Sequence, residues 1–175
     1  MNGSIFYACI ARGGRIVVQA TNGVVAMQVT ESVEQFVAAV DATAASMKSY
    51  SAAKLVYNYE TDAGLCILCV ADEAMPRRIC FALLRHLRTE LAAREQLSVA
   101  FLRGEIEFFS SHADADKLRR VQMDVDEVKD IMLANIDKLL TRGERLEDLD
   151  RRTDDMRHRS SEFARHSKQV SKLQT

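Results

Sequence analysis

One line of residues constrains this chain more than any other. From Leu118 onward, steps alternating between three and four trace Leu118, Val121, Val125, Val128, Met132, Asn135, Leu139, Arg142, Leu146, Leu149, Thr153, Met156, Ser160, Phe163, Ser167 and Val170. Eleven of these sixteen positions are apolar, and most residues between them are charged. An apolar repeat averaging 3.5 residues specifies a coiled coil, because that period keeps one stripe facing a partner helix. A continuous helix from Lys117 to Lys172 would be roughly 84 Å long at 1.5 Å per residue. Such a helix cannot fold back fully onto a domain of some 110 residues. It therefore needs partner helices, and is expected to be largely disordered until they arrive.

The centre of the line carries a charge. Arg142 lies between Leu139 and Leu146, and Gly143 follows it. In a homodimer two guanidinium groups would face each other, and burying an uncompensated charge costs several kcal/mol or more. Five N–H donors suit neutral amide carbonyls contributed by several other helices. A polar layer also fixes register, since any slip sets the arginine against apolar side chains. The blander reading is a tolerated break in a homodimeric coil. Off the line, Ile131, Ile136 and Leu140 widen the apolar surface of the first half. That suits a four-helix bundle or contact with the preceding domain.

Composition divides the chain before this segment begins. Ten of the eleven aromatic residues precede position 110, and six of the seven glycines lie in the first 104 residues. The division predicted is a globular domain over 1–110, a polar linker over 111–116 and the heptad segment over 117–173. In the first region, Ser4–Ala11 and Arg15–Ala20 are β-prone runs joined by Gly13-Gly14, a hairpin signal. Thr30 or Ser32 is placed to cap a helix whose apolar face is Val33, Phe36, Val37, Val40, Ala44 and Met47. Lys54–Glu60 and Leu65–Ala71 read as strands joined at Asp62-Ala63-Gly64. Pro76 suits the first turn of a second helix with Ile79, Leu83, Leu87 and Leu91 on its apolar face. Ser98–Phe109 reads as partly helical. The order β-β-α-β-β-α plus a C-terminal element predicts an α+β domain, one antiparallel sheet with flanking helices.

Little in the chain suggests chemistry. Cys66 and Cys69 form a CxxC, but they sit in the apolar run GLCILCVAD, which reads as a buried strand. Residues three apart on a strand point to opposite faces, so the pair cannot ligate jointly. No second CxxC or His pair completes a zinc site. Cys80 and His86 are six apart on a helix and do not stack on one face. With no phosphate-binding glycine loop and no nucleophile elbow, the expectation is a binding module with no catalytic residue, metal or cofactor. The net charge of −1 makes no case for nucleic acid. No apolar run approaches the 18 or so residues of a membrane helix, and neither a signal peptide nor a lipidation motif is evident.

The stretch VQMDVDEVKDIMLANIDKLLTRGERLEDLDRRTDDM resembles the motif of R-SNAREs, the vesicle-side members of the membrane-fusion machinery. In that family the seam has sixteen layers with an arginine in the middle. Here seven layers precede Arg142 and eight follow it. The Arg142-Gly143 pair is similar to the RG subgroup, and the first region is similar to the longin domain that many R-SNAREs carry. The resemblance implies that Arg142 meets one Gln from each of a Qa-, a Qb- and a Qc-SNARE in a parallel four-helix bundle. Zippering from the Leu118 end would draw membranes together. It further implies a longin domain that regulates assembly, by folding onto the motif or by binding sorting adaptors. The expected location is the cytosolic face of vesicle, endosomal, lysosomal or post-Golgi membranes. Members usually continue into a membrane anchor; none lies within these 175 residues, so either the chain is cut before its anchor or it is a soluble form. In the second case the alternative function is a soluble regulator or decoy that occupies Q-SNAREs. After Asp155, Arg157, Arg159, Arg165, Lys168 and Lys172 face only Glu162, a run that suits either an anionic membrane or solvent.

Overall fold

A computed structural model describes residues 3–22, 26–111, 117, 128 and 130–136. Its elements run β1 (Ile5–Arg12), β2 (Arg15–Thr21), α1 (Ala26–Ala39), β3 (Ser46–Ala52), β4 (Leu55–Asp62), β5 (Leu65–Asp72), α2 (Arg77–Arg94), α3 (Val99–Ser111) and β6 (Met132–Asn135). The six strands form one sheet in the order β2-β1-β5-β4-β3-β6. Every neighbouring pair is antiparallel except β3 and β6, which are parallel.

Three tight hairpins build the antiparallel part. Gly13 and Gly14 at φ 59° and 78°, and Ala63 and Gly64 at φ 50° and 86°, supply the paired positive dihedrals of a two-residue hairpin loop. These are the turns the glycines predicted. The third turn, between β3 and β4, has no glycine, and Ala53 takes φ 56° instead.

The sheet separates two cores. On one face α1 covers Tyr7, Cys9, Cys66, Leu68 and Val70 with Val29, Val33, Phe36 and Val37, all buried. Phe36 is the hub, with ring centroids 5.9 Å from Tyr50 and 5.4 Å from both Tyr57 and Tyr59. On the other face α2 and α3 cover Ile10, Ile67, Cys69 and Ala71. The predicted face of α2 is all buried there: Ile79, Leu83, Leu87 and Leu91. Alternation on β5 thus sends Cys66 into one core and Cys69 into the other.

Two readings need correction. The helical period does not continue through Met47: α1 ends at Ala39, and Ser46–Ala52 is the strand β3. Met47 packs from that strand against the α2-side core, not from a helix against the α1 side. Thr30 and Ser32 are not caps, because α1 begins at Ala26. Ser32 Oγ instead bonds back to the Val29 carbonyl at 3.0 Å and lies 2.8 Å from the Tyr57 hydroxyl. The element order is accordingly β-β-α-β-β-β-α-α-β. Ser98–Phe109 resolves into the helix α3, with Ser98 Oγ capping it by accepting from the Phe101 N–H at 3.0 Å.

Candidate partner-binding site

Of the sixteen seam positions, three fall among the described residues: Val128, Met132 and Asn135. Leu118, Val121, Val125, Leu139, Arg142, Leu146, Leu149, Thr153, Met156, Ser160, Phe163, Ser167 and Val170 lie outside them.

Two of these three are not on a helical stripe. Met132 and Asn135 are the ends of β6, which adds to the edge of the sheet beside β3. The register pairs Lys48 with Met132, Ser49 with Leu133, Tyr50 with Ala134 and Ser51 with Asn135. A full-length helix could not fold back wholly onto the domain, but this short stretch reaches it as a strand. A strand advances about 3.3 Å per residue against 1.5 Å in a helix, so four residues suffice to run along β3.

Docking buries Ile131, beside the seam, and Val128, on it, to the same degree. Ile131 is 8% exposed and joins the α2-side core with Val128, also 8% exposed. Ala134 and Ile136 pack against the α1-side core, near the Phe36 cluster. Met132 and Leu133 stay 37% and 51% exposed. The apolar positions that widened the stripe, Ile131 and Ile136, therefore make contact with the preceding domain, one of the two roles their spacing suggested.

A polar device holds the entry to β6. Arg77, the first residue of α2, donates from Nη2 to the Ile131 carbonyl at 2.6 Å and from Nε to Ser49 Oγ at 3.2 Å. Ser49 and Asn58 are both fully buried, and Ser49 Oγ donates to Asn58 Oδ1 at 2.7 Å. Burial lowers the tendency of Arg77 to hold its proton, but an arginine starts so high that it stays charged. At the far end of the β3 pairing, Ser51 Oγ reaches the Ala134 carbonyl at 3.4 Å. Sequence reasoning passed over Arg77, Ser49 and Asn58. The one available signal was Asn58, a polar residue in the middle of the strand read over Lys54–Glu60, which needs a partner if buried.

The cysteines do no visible chemistry in this arrangement. All four are free and buried. Burial pushes the Cys66 thiol up to about 12 and raises Cys9 and Cys69 as well, which keeps them protonated and unreactive at neutral pH. Among the described residues no His, Cys, Asp or Glu group is arranged to hold a metal, and no helix is long and apolar enough to cross a membrane.

Fold and site together define a class: a two-core α+β domain that carries, on the same chain, a heptad segment able to pair with its sheet edge. Residues 117–174 match the synaptobrevin family model, and residues 18–102 match the longin model, described as a regulated-SNARE-like domain. The chain is 32% identical to vesicle-associated membrane protein 712 of Arabidopsis thaliana over 96% of its own length and 82% of that relative's. It is 28% identical to vesicle-associated membrane protein 7B of Dictyostelium discoideum, over 95% of this chain and 68% of that one. Against vesicle-associated membrane protein 7 of Mus musculus the identity is 27%, over 97% and 81%. The chain belongs to the longin-type R-SNAREs of the vesicle-associated membrane protein family.

Proposed function

We propose that this protein is the R-SNARE subunit of a parallel four-helix complex that drives fusion of a vesicle with its target membrane. The observation that carries the reading is the sixteen-position line with Arg142 at its centre, lying within the stretch that matches the synaptobrevin family. Arg142 would donate to one glutamine carbonyl from each of a Qa-, a Qb- and a Qc-SNARE helix. The layers from Leu118 to Val170 would close successively, gaining roughly 25 cal/mol per Å² of apolar surface removed from water. That free energy, with no covalent chemistry, would do the work on the membranes. Vesicle, endosomal, lysosomal and post-Golgi membranes are the expected sites of action, and sorting adaptors are further candidates to bind the longin domain.

The docked strand suggests how the longin domain controls this reaction. Residues 132–135 cannot be β6 and two layers of a helical bundle at once. While Met132 and Asn135 are paired with β3, zippering would stall at their layers, and undocking would release it. Mixing the chain with three Q-SNARE helices tests the reading. Circular dichroism is expected to show a cooperative gain in helix and a complex that melts far above any component. A chain that forms a stable helical homodimer and ignores the Q-SNARE helices would sink it.

A further inference from the structure

Arg77 opens α2, where the positive end of the helix dipole disfavours a cation. Its placement is offset by what the guanidinium holds. One edge is fixed by the buried polar chain: Nε donates to Ser49 Oγ, Ser49 Oγ donates to Asn58 Oδ1, and Asn58 Nδ2 reaches the Val56 carbonyl at 3.5 Å. A planar group fixed at Nε has its remaining donors aimed. Here, among the described residues, Nη2 meets a main-chain oxygen, the Ile131 carbonyl at 2.6 Å.

Ile131 is the residue immediately before β6, so fixing its carbonyl fixes which residue meets Lys48. A slip of one residue would turn Ile131 out of the core and bring its exposed neighbour in. The bonded group is main chain, so Arg77 is indifferent to the side chain at that position. It is not indifferent to conformation. In the interior of an α-helix each carbonyl already accepts from the N–H four residues on, which leaves a poor acceptor for a fixed guanidinium. We infer that Arg77 is a positioning residue for the closed state: it pins the register of β6 and selects the extended over the helical form of the segment that begins at Met132. The pinning concerns the isolated chain; its consequence for complex assembly rests on the R-SNARE reading.

Hydrogen exchange on the full chain alone tests the pin. In Arg77→Gln the amides of Met132–Asn135 are expected to exchange at least roughly tenfold faster, the loss associated with one charge-assisted hydrogen bond. Exchange in β1, β4 and β5 should be little changed, and thermal stability should fall only slightly, because a cation leaving a helix N-terminus offsets part of the lost bond. Arg77→Lys should fall between wild type and Arg77→Gln, since one ammonium cannot serve both Ser49 and Ile131. Ser49→Ala, which leaves the main-chain pairing of residue 49 with Leu133 in place, should accelerate the same four amides by a smaller factor. Wild-type protection of Met132–Asn135 in Arg77→Gln would overturn the inference. So would a loss of protection spread across the whole sheet in both Arg77 variants, which would make the residue a general support of the fold. Mixing the same proteins with Q-SNARE helices separates the two readings. Faster exchange in proteins that never form a complex leaves the pin standing and removes the R-SNARE function.

Discussion

Adjacent residues Ile131 and Met132 should respond to truncation in opposite ways, because the docked strand and the helical bundle bury different faces of the same segment. Ile131 is 8% exposed when docked but flanks the seam in the heptad line. Met132 is 37% exposed when docked and lies on the seam. Ile131→Ala removes three carbons, worth about 0.8 kcal/mol each when buried. Discounting for the surface that stays wet leaves about 2 kcal/mol. At 1.4 kcal/mol per decade, the open population rises roughly thirtyfold. If only the open form accepts partners, the assembly rate rises by up to the same factor until opening ceases to limit it. The melting temperature of the assembled complex should barely change. Met132→Ala should do the reverse: a smaller gain in rate, and a complex weakened by about 2–5 kcal/mol through loss of a core layer. Stopped-flow fluorescence between labelled chain and Q-SNARE helices reads the rate, and thermal melts of the purified complexes read the stability. If Ile131→Ala assembles no faster than wild type, docking does not gate assembly. If Met132→Ala leaves the complex as stable as wild type, Met132 is not a layer and the heptad assignment is wrong there.

Other expectations concern the domain itself. Phe36, 2% exposed among three tyrosines, should cost about 3–5 kcal/mol when truncated to Ala, read as a lower urea midpoint of the longin domain with an unchanged slope. Stability should also fall with alkaline pH. The Cys66 thiol is raised from 9.0 to about 12 by burial, so above pH 9 the unfolded chain loses a proton that the folded chain keeps. The contribution is whole below pH 9 and is lost as pH rises toward 12, at up to about 1.4 kcal/mol per unit. Cys9 and Cys69, raised by the same cause, act in the same direction. Urea denaturation at pH 8 and pH 10.5 measures the drop, and Cys66→Ala should reduce it; an equal drop in the variant would refute the assignment.

What the sequence made legible follows from where local and tertiary preferences agree. Gly13-Gly14 and Gly64 mark their turns because left-handed backbone is cheap only for glycine. The apolar face of α2 and the buried run of β5 are strong periodic signals, and β5's alternation decided the CxxC correctly. β3 was missed because Ser46–Ala52 reads SMKSYSA, poor in β-branched residues, with a helical period running into it from α1. Its following turn uses Ala53 at φ 56° where a glycine would have flagged it. Tertiary contacts supply what local preference lacks: Ser49 is satisfied by Asn58 and Arg77, and Tyr50 by the Phe36 cluster. Of the partner-binding line, the spacing gives only which residues would share a stripe if the segment were helical. It could not show that part of the stripe has a second conformation, because the partner in that state is a sheet edge more than 80 positions away.

That second conformation is weakly encoded, and the weakness suits a switch. β6 is Met-Leu-Ala-Asn, with no β-branched or aromatic residue, and Met, Leu and Ala are all strong helix formers. The strand does not hold itself. It is held by Val128 and Ile131 in the α2-side core, by Ala134 and Ile136 beneath α1, and by the Arg77 bond to the Ile131 carbonyl. Remove those contacts and local propensity carries the same four residues toward helix, the form a SNARE bundle requires. A β-branched sequence there would lock the domain shut, whereas a segment without flanking isoleucines would never close. By this logic Ala134→Val, a strand-favouring change at a half-buried position off the heptad line, should slow assembly with Q-SNARE helices and slow exchange at Met132–Asn135 together. A change in one without the other would mean that docking and assembly are not the two ends of one equilibrium.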